Sequence, residues 1–137
     1  MTVTECVFCD IVAGDADALV VGERERTLAF SPLDPVAPGH VLVVPKAHHE
    51  SLFDVPEDVL VDVMEHVQSL ARRLRGDEGF DGVNVLHDST FHQSVPHLHM
   101  HVVGRRDDDR DLWPETEYDG SKRDAYDAVT AALDDGY

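Results

Sequence analysis

The chain has 137 residues, enough for one compact domain with a substantial core. Twenty-eight acidic side chains against 11 basic ones give a net charge of −17, a surface that repels nucleic-acid backbones and excludes a polynucleotide-coating role. No run approaches the ~20 apolar residues of a membrane span, and Glu5 and two cysteines stand where a secretory leader would be basic and then apolar, so the expected location is the cytoplasm, away from membranes.

In chain order, residues 18–23, 27–31 and 40–45 are short runs rich in Val, Leu and Phe, bounded by Gly, Pro and charged residues, and are predicted to form antiparallel strands. Pro32, Pro35, Pro38 and Gly39 mark a loop before the third strand. From Pro56 onward Leu60, Val63, Met64, Val67, Leu70, Ala71 and Leu74 recur at three- and four-residue spacing, which predicts an amphipathic helix ending before Gly76. Glu57 and Asp58 at its start and Arg72, Arg73 and Arg75 near its end suit the helix dipole. Residues 82–87 read as a fourth strand and 95–103 as a fifth. Residues 105–120 are charged and irregular, and a short helix is expected over 121–134, with Ala125, Val129 and Leu133 on one side. The sum is one α+β domain over 1–137. Its core spans about 6–105, and an acidic tail with a short helix occupies 106–137.

The fifth strand carries the chemistry. In His97-Leu98-His99-Met100-His101, imidazoles alternate with apolar side chains. Side chains of a strand alternate faces, so the three histidines should share one face while Leu98, Met100 and Val102 enter the core. Three groups that titrate near neutrality then sit in one patch, suited to nucleophilic catalysis, acid–base catalysis or metal ligation. A neutral imidazole can attack phosphorus if an acceptor fixes its other nitrogen, and flanking imidazoles can steady the charge that accumulates. His99, with a histidine on both sides, is the candidate nucleophile. Gln93 and Ser94, just upstream, offer an amide and a hydroxyl for phosphate oxygens or a leaving group. Cys6-x-x-Cys9 fits a redox pair, a disulfide or half a zinc site. A cytosolic chain disfavours the disulfide. No helix is expected to open at the motif after a strand, which disfavours redox catalysis. For zinc, His48 is the natural third ligand and His49 its neighbour in competition.

His97-Leu98-His99-Met100-His101-Val102-Val103 resembles the signature of the histidine triad (HIT) family, and Gln93-Ser94-Val95 precedes it as in many members. Residues 6–14, Cys-Val-Phe-Cys-Asp-Ile-Val-Ala-Gly, resemble the opening of the family's bacterial and archaeal branch. Leu28-Ala29-Phe30, Pro38-Gly39-His40 and Val44-Pro45-Lys46-Ala47-His48 resemble family segments in the right order. The resemblance implies a homodimeric nucleotide-binding domain that hydrolyses or transfers nucleotidyl groups through a covalent nucleotidyl-histidine, with no catalytic metal. It implies His99 as nucleophile, His101 as phosphate or tautomer-fixing partner, and His97 as a member of the network. By the same match Gln93 is a phosphate contact, Ser94 lies near the scissile bond, and Phe8, Ile11, Phe30 and Leu33 line the base and ribose pocket. It further offers His97 as the fourth ligand of a structural zinc with Cys6, Cys9 and His48. Trp113-Pro114 falls where the tail of several relatives reaches the partner's active site.

The chain also departs from the family. Between Asn84 and Gln93 many members carry a longer stretch with Asn and Gly, so no ribose or phosphate contact transfers onto residues 85–92. Pro32 stands where relatives place an acidic or amide residue, with Asp34 two positions later. The expected activity is hydrolysis of a P–N or P–O–P bond at a nucleotide α-phosphate. The alternatives are a nucleotidyltransferase and a nucleotide- or zinc-binding module with little catalysis. Two lysines, Lys46 and Lys122, and an excess of Asp over Glu point to a halophile, because at ~1 M salt the Debye length is only ~3 Å and self-repulsion is screened. Lys46 and Arg105 are expected to offset the negative field near the site.

Overall fold

A computed structural model describes residues 5–76, 79–112 and 117–133. Five strands form one antiparallel sheet: β1 (Val20–Glu23), β2 (Thr27–Phe30), β3 (Gly39–Pro45), β4 (Gly82–Leu86) and β5 (Met100–Arg105), in the order β1-β2-β3-β5-β4. Helix α1 (Val7–Ala13) precedes the sheet, α2 (Glu57–Leu74) joins β3 to β4, and α3 (Lys122–Ala132) lies near the C-terminus.

Alternation divides the two sheet faces. Ala29, Val41, Val43, Leu98, Met100 and Val102 pack against Val63 and Val67 of α2, with Leu60, Leu70 and Leu74 around them. Of the predicted helical stripe, Leu60, Val63, Val67, Leu70 and Leu74 join the core, whereas Met64 lies outside it, substantially exposed, and Ala71 lines a surface hollow. The other face takes the even-numbered residues Leu28, Phe30, Leu42 and Val44, covered by Cys6 and Phe8. A strand buried on both faces reads as a continuous apolar run, which is why Val41–Val44 shows no alternation.

Two elements differ from the sequence expectation. Helix α1 was not expected; it is short, and Cys6 itself caps it, its Sγ accepting from the Cys9 N–H at 3.3 Å. The Cys-x-x-Cys motif thus does open a helix, although among the described residues no strand precedes it. Strand β5 begins at Met100 rather than residue 95 and runs to Arg105. Pro96 and Pro45 explain the late start. Pro45 faces this stretch from the end of β3 without an N–H to donate, and the Leu98 N–H goes instead to the His49 carbonyl at 2.7 Å. The alternation nevertheless holds. Leu98 is in the α2 core, while His97, His99 and His101 lie on the α1 face, where Phe8 meets His97 and His99 edge-on and His101 stands opposite Leu42.

At the far end of the central strands, Gly39 and Gly104 pair across β3 and β5 beneath the Phe80 ring. A Cβ on Gly104 would lie 2.6 Å from that ring, so only glycine lets Phe80 close the core, with Arg106 stacked 4.7 Å above it. No side chain of α3 is buried, and Val129 and Leu133 of its expected apolar side are exposed. Trp113 and Pro114 fall outside the described residues. Among the described residues no helix is long and apolar enough to cross a membrane.

Candidate active site

The α1 face of β3 and β5 gathers His97, His99 and His101 and adds His40, which the sequence reading left without a role. Leu42 pairs with His101 and Val103 with His40, so His40 and His101 lie diagonally across two strands on one face. Their rings are 5.1 Å apart, and His99 is also 5.1 Å from His101.

Hydrogen bonds fix which nitrogen of each ring carries the proton. The Val36 N–H donates to His40 Nδ1 at 3.0 Å, so His40 Nε2 is the protonated nitrogen. It lies 2.9 Å from His101 Nδ1, which must accept, leaving the His101 proton on Nε2. His99 Nδ1 is 2.7 Å from the His97 carbonyl, an obligate acceptor, so Nδ1 is protonated and Nε2 carries the lone pair. His97 Nε2 donates to the Pro45 carbonyl at 2.8 Å, which turns its Nδ1 lone pair towards the cysteines. Two adjacent rings therefore present complementary atoms, a lone pair on His99 Nε2 and an N–H on His101 Nε2.

Burial keeps these rings neutral. His99 is 2% exposed, with Phe8 edge-on at 5.1 Å, and desolvation lowers its pKa from the usual histidine value. His101 is lowered to about 4, first by burial and then by the neighbouring His99 and His40. His40 is lowered by burial as well. An uncharged imidazole is the form that can act as a nucleophile at neutral pH.

Beside this patch Cys6 Sγ, Cys9 Sγ, His48 Nδ1 and His97 Nδ1 all lie within 4.8 Å of one another. His97 Nδ1 is 3.4 Å from Cys6 Sγ and 3.5 Å from Cys9 Sγ, and His48 Nδ1 is 3.2 Å from Cys9 Sγ. Zinc bonds of about 2.3 Å to sulfur and 2.0–2.1 Å to nitrogen at tetrahedral angles imply S···N edges of about 3.6 Å, so the donor set fits that ion. His48 joins the cluster and His49 does not. Burial and the adjacent Cys6 thiol push Cys9 up to about 11, the direction that a bound cation reverses.

The remaining expected residues are distributed around this centre. Phe8 and Phe30 pack together at 5.4 Å in the core of the α1 face, Phe30 being 2% exposed, and Ile11 is packed against the same cluster. Leu33, 95% exposed, is on the β2–β3 loop, and Ser94 is exposed before the triad. Both ends of the Gln93 amide are engaged, Nε2 donating to the Glu50 carbonyl and Oε1 accepting from the Thr90 N–H at 3.2 Å. Lys46 and Arg105 hold Glu23 and Asp109, so their charges are matched locally. A surface hollow of about 610 Å³, lined by Arg24, Glu65, Gln68, Ser69, Arg72 and Arg73, lies elsewhere.

A five-stranded antiparallel sheet with one long helix across one face and alternating histidines on the other defines the HIT fold class. Residues 13–108 match the family described as "HIT domain", and the chain belongs to the HIT family. It is 33% identical over 126 residues to adenosine 5'-monophosphoramidase HNT1 of Candida albicans, covering 85% of this chain and 83% of that one. With an uncharacterized HIT-like protein of Methanocaldococcus jannaschii it shares 37% identity over 109 residues, 78% of this chain and 84% of that one. Among solved structures, a HIT family protein of Bacillus subtilis superposes with a TM-score of 0.79 at 29% identity, over 96% of this chain and 97% of that one. A zinc-bound histidine triad family protein of Mycobacterium smegmatis gives 0.75 at 32% identity, over 98% and 99%.

Proposed function

We propose that this protein is a HIT-type nucleotide hydrolase that cleaves a P–N or P–O–P bond at a nucleotide α-phosphate, with nucleoside 5'-monophosphoramidates as its leading substrate class. The observation that carries the reading is the pair of fixed tautomers, a lone pair on His99 Nε2 beside an N–H on His101 Nε2. The name of the Candida relative supports the substrate class.

In the reaction His99 Nε2 attacks the α-phosphorus. A P–N bond forms to the imidazole and the bond to the leaving amine breaks; the amine takes up a proton from solvent, and the water of the second step returns one. Water then attacks the nucleotidyl-His99, restoring the imidazole and releasing the nucleoside monophosphate. His101 Nε2–H donates to an α-phosphate oxygen as charge builds on it. The His97 carbonyl holds His99 Nδ1–H and steadies the positive charge that the ring carries once its Nε2 is bonded to phosphorus. Ser94 sits by the leaving group, Gln93 shapes the phosphate site, and Phe8, Ile11, Phe30 and Leu33 form the base and ribose side.

Cys6, Cys9, His48 and His97 would hold a structural Zn²⁺, which ties α1 and the end of β3 to the segment before β5 and takes no part in the reaction. The zinc-bound Mycobacterium relative supports this assignment. The protein works as a homodimer in the cytoplasm, as a single domain over 1–137, and its acidic surface suits a halophile. The free edge of β4 and the exposed Val61 and Met64 of α2 are consistent with pairing to a second copy.

The test is to mix protein with a radiolabelled adenosine 5'-phosphoramidate and quench in alkali, where a phosphorus–imidazole bond survives. Label on wild type and none on His99→Ala is expected. Full turnover by His99→Ala would sink the mechanism. Binding without turnover by wild type would favour a module, and transfer to an added acceptor over water a transferase.

A further inference from the structure

Strand β4 ends at Leu86, opposite His101. Alternate residues of an antiparallel strand turn their N–H and C=O groups towards the same neighbour. The Asp81 N–H donates to the Arg105 carbonyl on the β4 side at 2.8 Å, so counting back by twos the His99 carbonyl also faces that side, just past the end of β4. His99 is almost wholly buried, and a carbonyl there must find a donor.

The first residue after β4 supplies it with its side chain. His87 Nδ1 lies 2.9 Å from the His99 carbonyl, which can only accept, so Nδ1 carries the proton. His87 Nε2 therefore accepts from Ser89 Oγ, 2.6 Å away, and Ser89 Oγ accepts in turn from the Leu52 N–H at 2.9 Å. Every bond in this chain from Leu52 to Ser89 to His87 to His99 has one allowed direction. A further bond joins the same two loops, Gln93 Nε2 to the Glu50 carbonyl. Within the loop Thr90 and His92 hold φ values of 69° and 65°, in the left-handed region that favours glycine, a conformation that persists only where surrounding bonds dictate it.

We infer that His87 is a positioning residue for His99, and that Ser89 fixes its tautomer so that the loop after β4 clamps the backbone of the nucleophile. The backbone held by His87 belongs to the residue whose own ring must point Nε2 at phosphorus. A displacement of ~1 Å at such an atom costs on the order of 100-fold in rate. The inference takes His99 to be the nucleophile, as the proposed function does.

Three variants of the full chain test it: His87→Leu, which removes the donor; His87→Asn, whose amide nitrogen is bonded to Cγ as Nδ1 is and so keeps it; and Ser89→Ala, which releases Nε2. Turnover of adenosine 5'-phosphoramidate, thermal melting and the ¹⁵N shifts of the His99 ring are measured for each, with those of the His87 ring in wild type and Ser89→Ala. His87→Leu is expected to lower kcat about 30- to 100-fold with KM within about threefold, and to move the His99 ring ¹⁵N shifts away from their wild-type values. His87→Asn should recover to within about fivefold of wild type, and Ser89→Ala should mix the His87 tautomers. Wild-type kcat and His99 shifts in His87→Leu would overturn the inference, as would a His87→Asn no better than His87→Leu. If His87→Leu does not fold, unchanged His87 shifts and kcat in Ser89→Ala overturn it instead. An inactive wild type would defeat the hydrolase reading, while the ring shifts would still judge His87.

Discussion

Replacing His40 by leucine tests the tautomer relay most directly. His40 is buried and bridges the Val36 N–H and His101 Nδ1 through bonds of 3.0 and 2.9 Å. Leucine removes both at once. A net hydrogen bond is worth ~1 kcal/mol and a partner left unsatisfied in a partly buried site costs more, so the fold should lose about 2–3 kcal/mol. The catalytic effect is separate. With nothing donating to Nδ1, His101 is free to place its proton there and present a lone pair to the phosphate oxygen. Losing one donor to a developing oxyanion lowers kcat by roughly 100-fold, and a partial loss of the correct tautomer scales this down to about 10- to 100-fold. His40→Gln is the control, since its amide nitrogen sits near the place of His40 Nε2 and can still donate to His101. Single-turnover kinetics with a nucleoside phosphoramidate at pH 7, beside a melting curve, separates the two effects. The reasoning fails if His40→Leu, folded at the assay temperature, matches His40→Gln in rate.

The remaining predictions concern pH, metal and salt. Because burial holds His99 below the usual histidine value and His101 at about 4, neither ring is half-protonated at pH 6.5. kcat/KM should then run flat from pH 8 to 7 and lose half its value only below 6.5, and a half-loss at or above 6.5 with circular dichroism unchanged would contradict this. Stability has the same sign. His66, hydrogen-bonded to Thr27 Oγ1 at 2.8 Å, and His40 are depressed by burial, so their contribution is complete above pH 6.5 and is lost as acid protonates the unfolded chain first. Denaturant midpoints should accordingly fall between pH 6.5 and 5, and a rise there would be decisive against it. Purified protein should carry one zinc per chain, released with a lowered melting temperature in Cys6→Ala; metal-free wild type with the same melting temperature as that variant would refute the cluster assignment. The melting temperature should climb with potassium chloride into the molar range, since the net charge of −17 leaves most carboxylates without a cation; an unchanged midpoint would remove the halophile reading.

The parts legible in the sequence are those with a period. Eighteen residues of α2 repeat their apolar stripe often enough to fix the element, and the alternation around His99 fixes which side chains enter the core even though β5 proper starts at Met100. Non-periodic features were not legible. Seven-residue α1 offers too few turns to show a stripe, and its cap is a cysteine rather than Ser, Thr, Asp or Asn. Ends of strands were missed for a related reason: whether Leu98 pairs with Pro45 depends on an absent N–H on the other strand, which no local pattern reports. His40 did leave a trace. It stands two residues before Leu42, on the same face of β3, and only the cross-strand register that sets Leu42 against His101 turns that into a contact.

His87 and Ser89 left no trace at all, and the reason bears on how such a centre is built. Sequence pattern records which face a side chain occupies, whereas the proton on a ring is set by whatever lies within 3 Å of its other nitrogen. Around these imidazoles those atoms are the carbonyls of Pro45, His97 and His99, the amide of Val36, the ring N–H of His40 and the hydroxyl of Ser89. Four of the six are backbone groups, which any residue supplies. Apart from the His40 and Ser89 side chains, the tautomers are therefore set by where strands begin and end. Extending β4 by two residues, to Asp88 opposite His99, would hand the His99 carbonyl to a ladder N–H and leave His87 without its task. Where β4 ends therefore decides which donor holds the backbone of His99, and in this chain that donor is the His87 side chain.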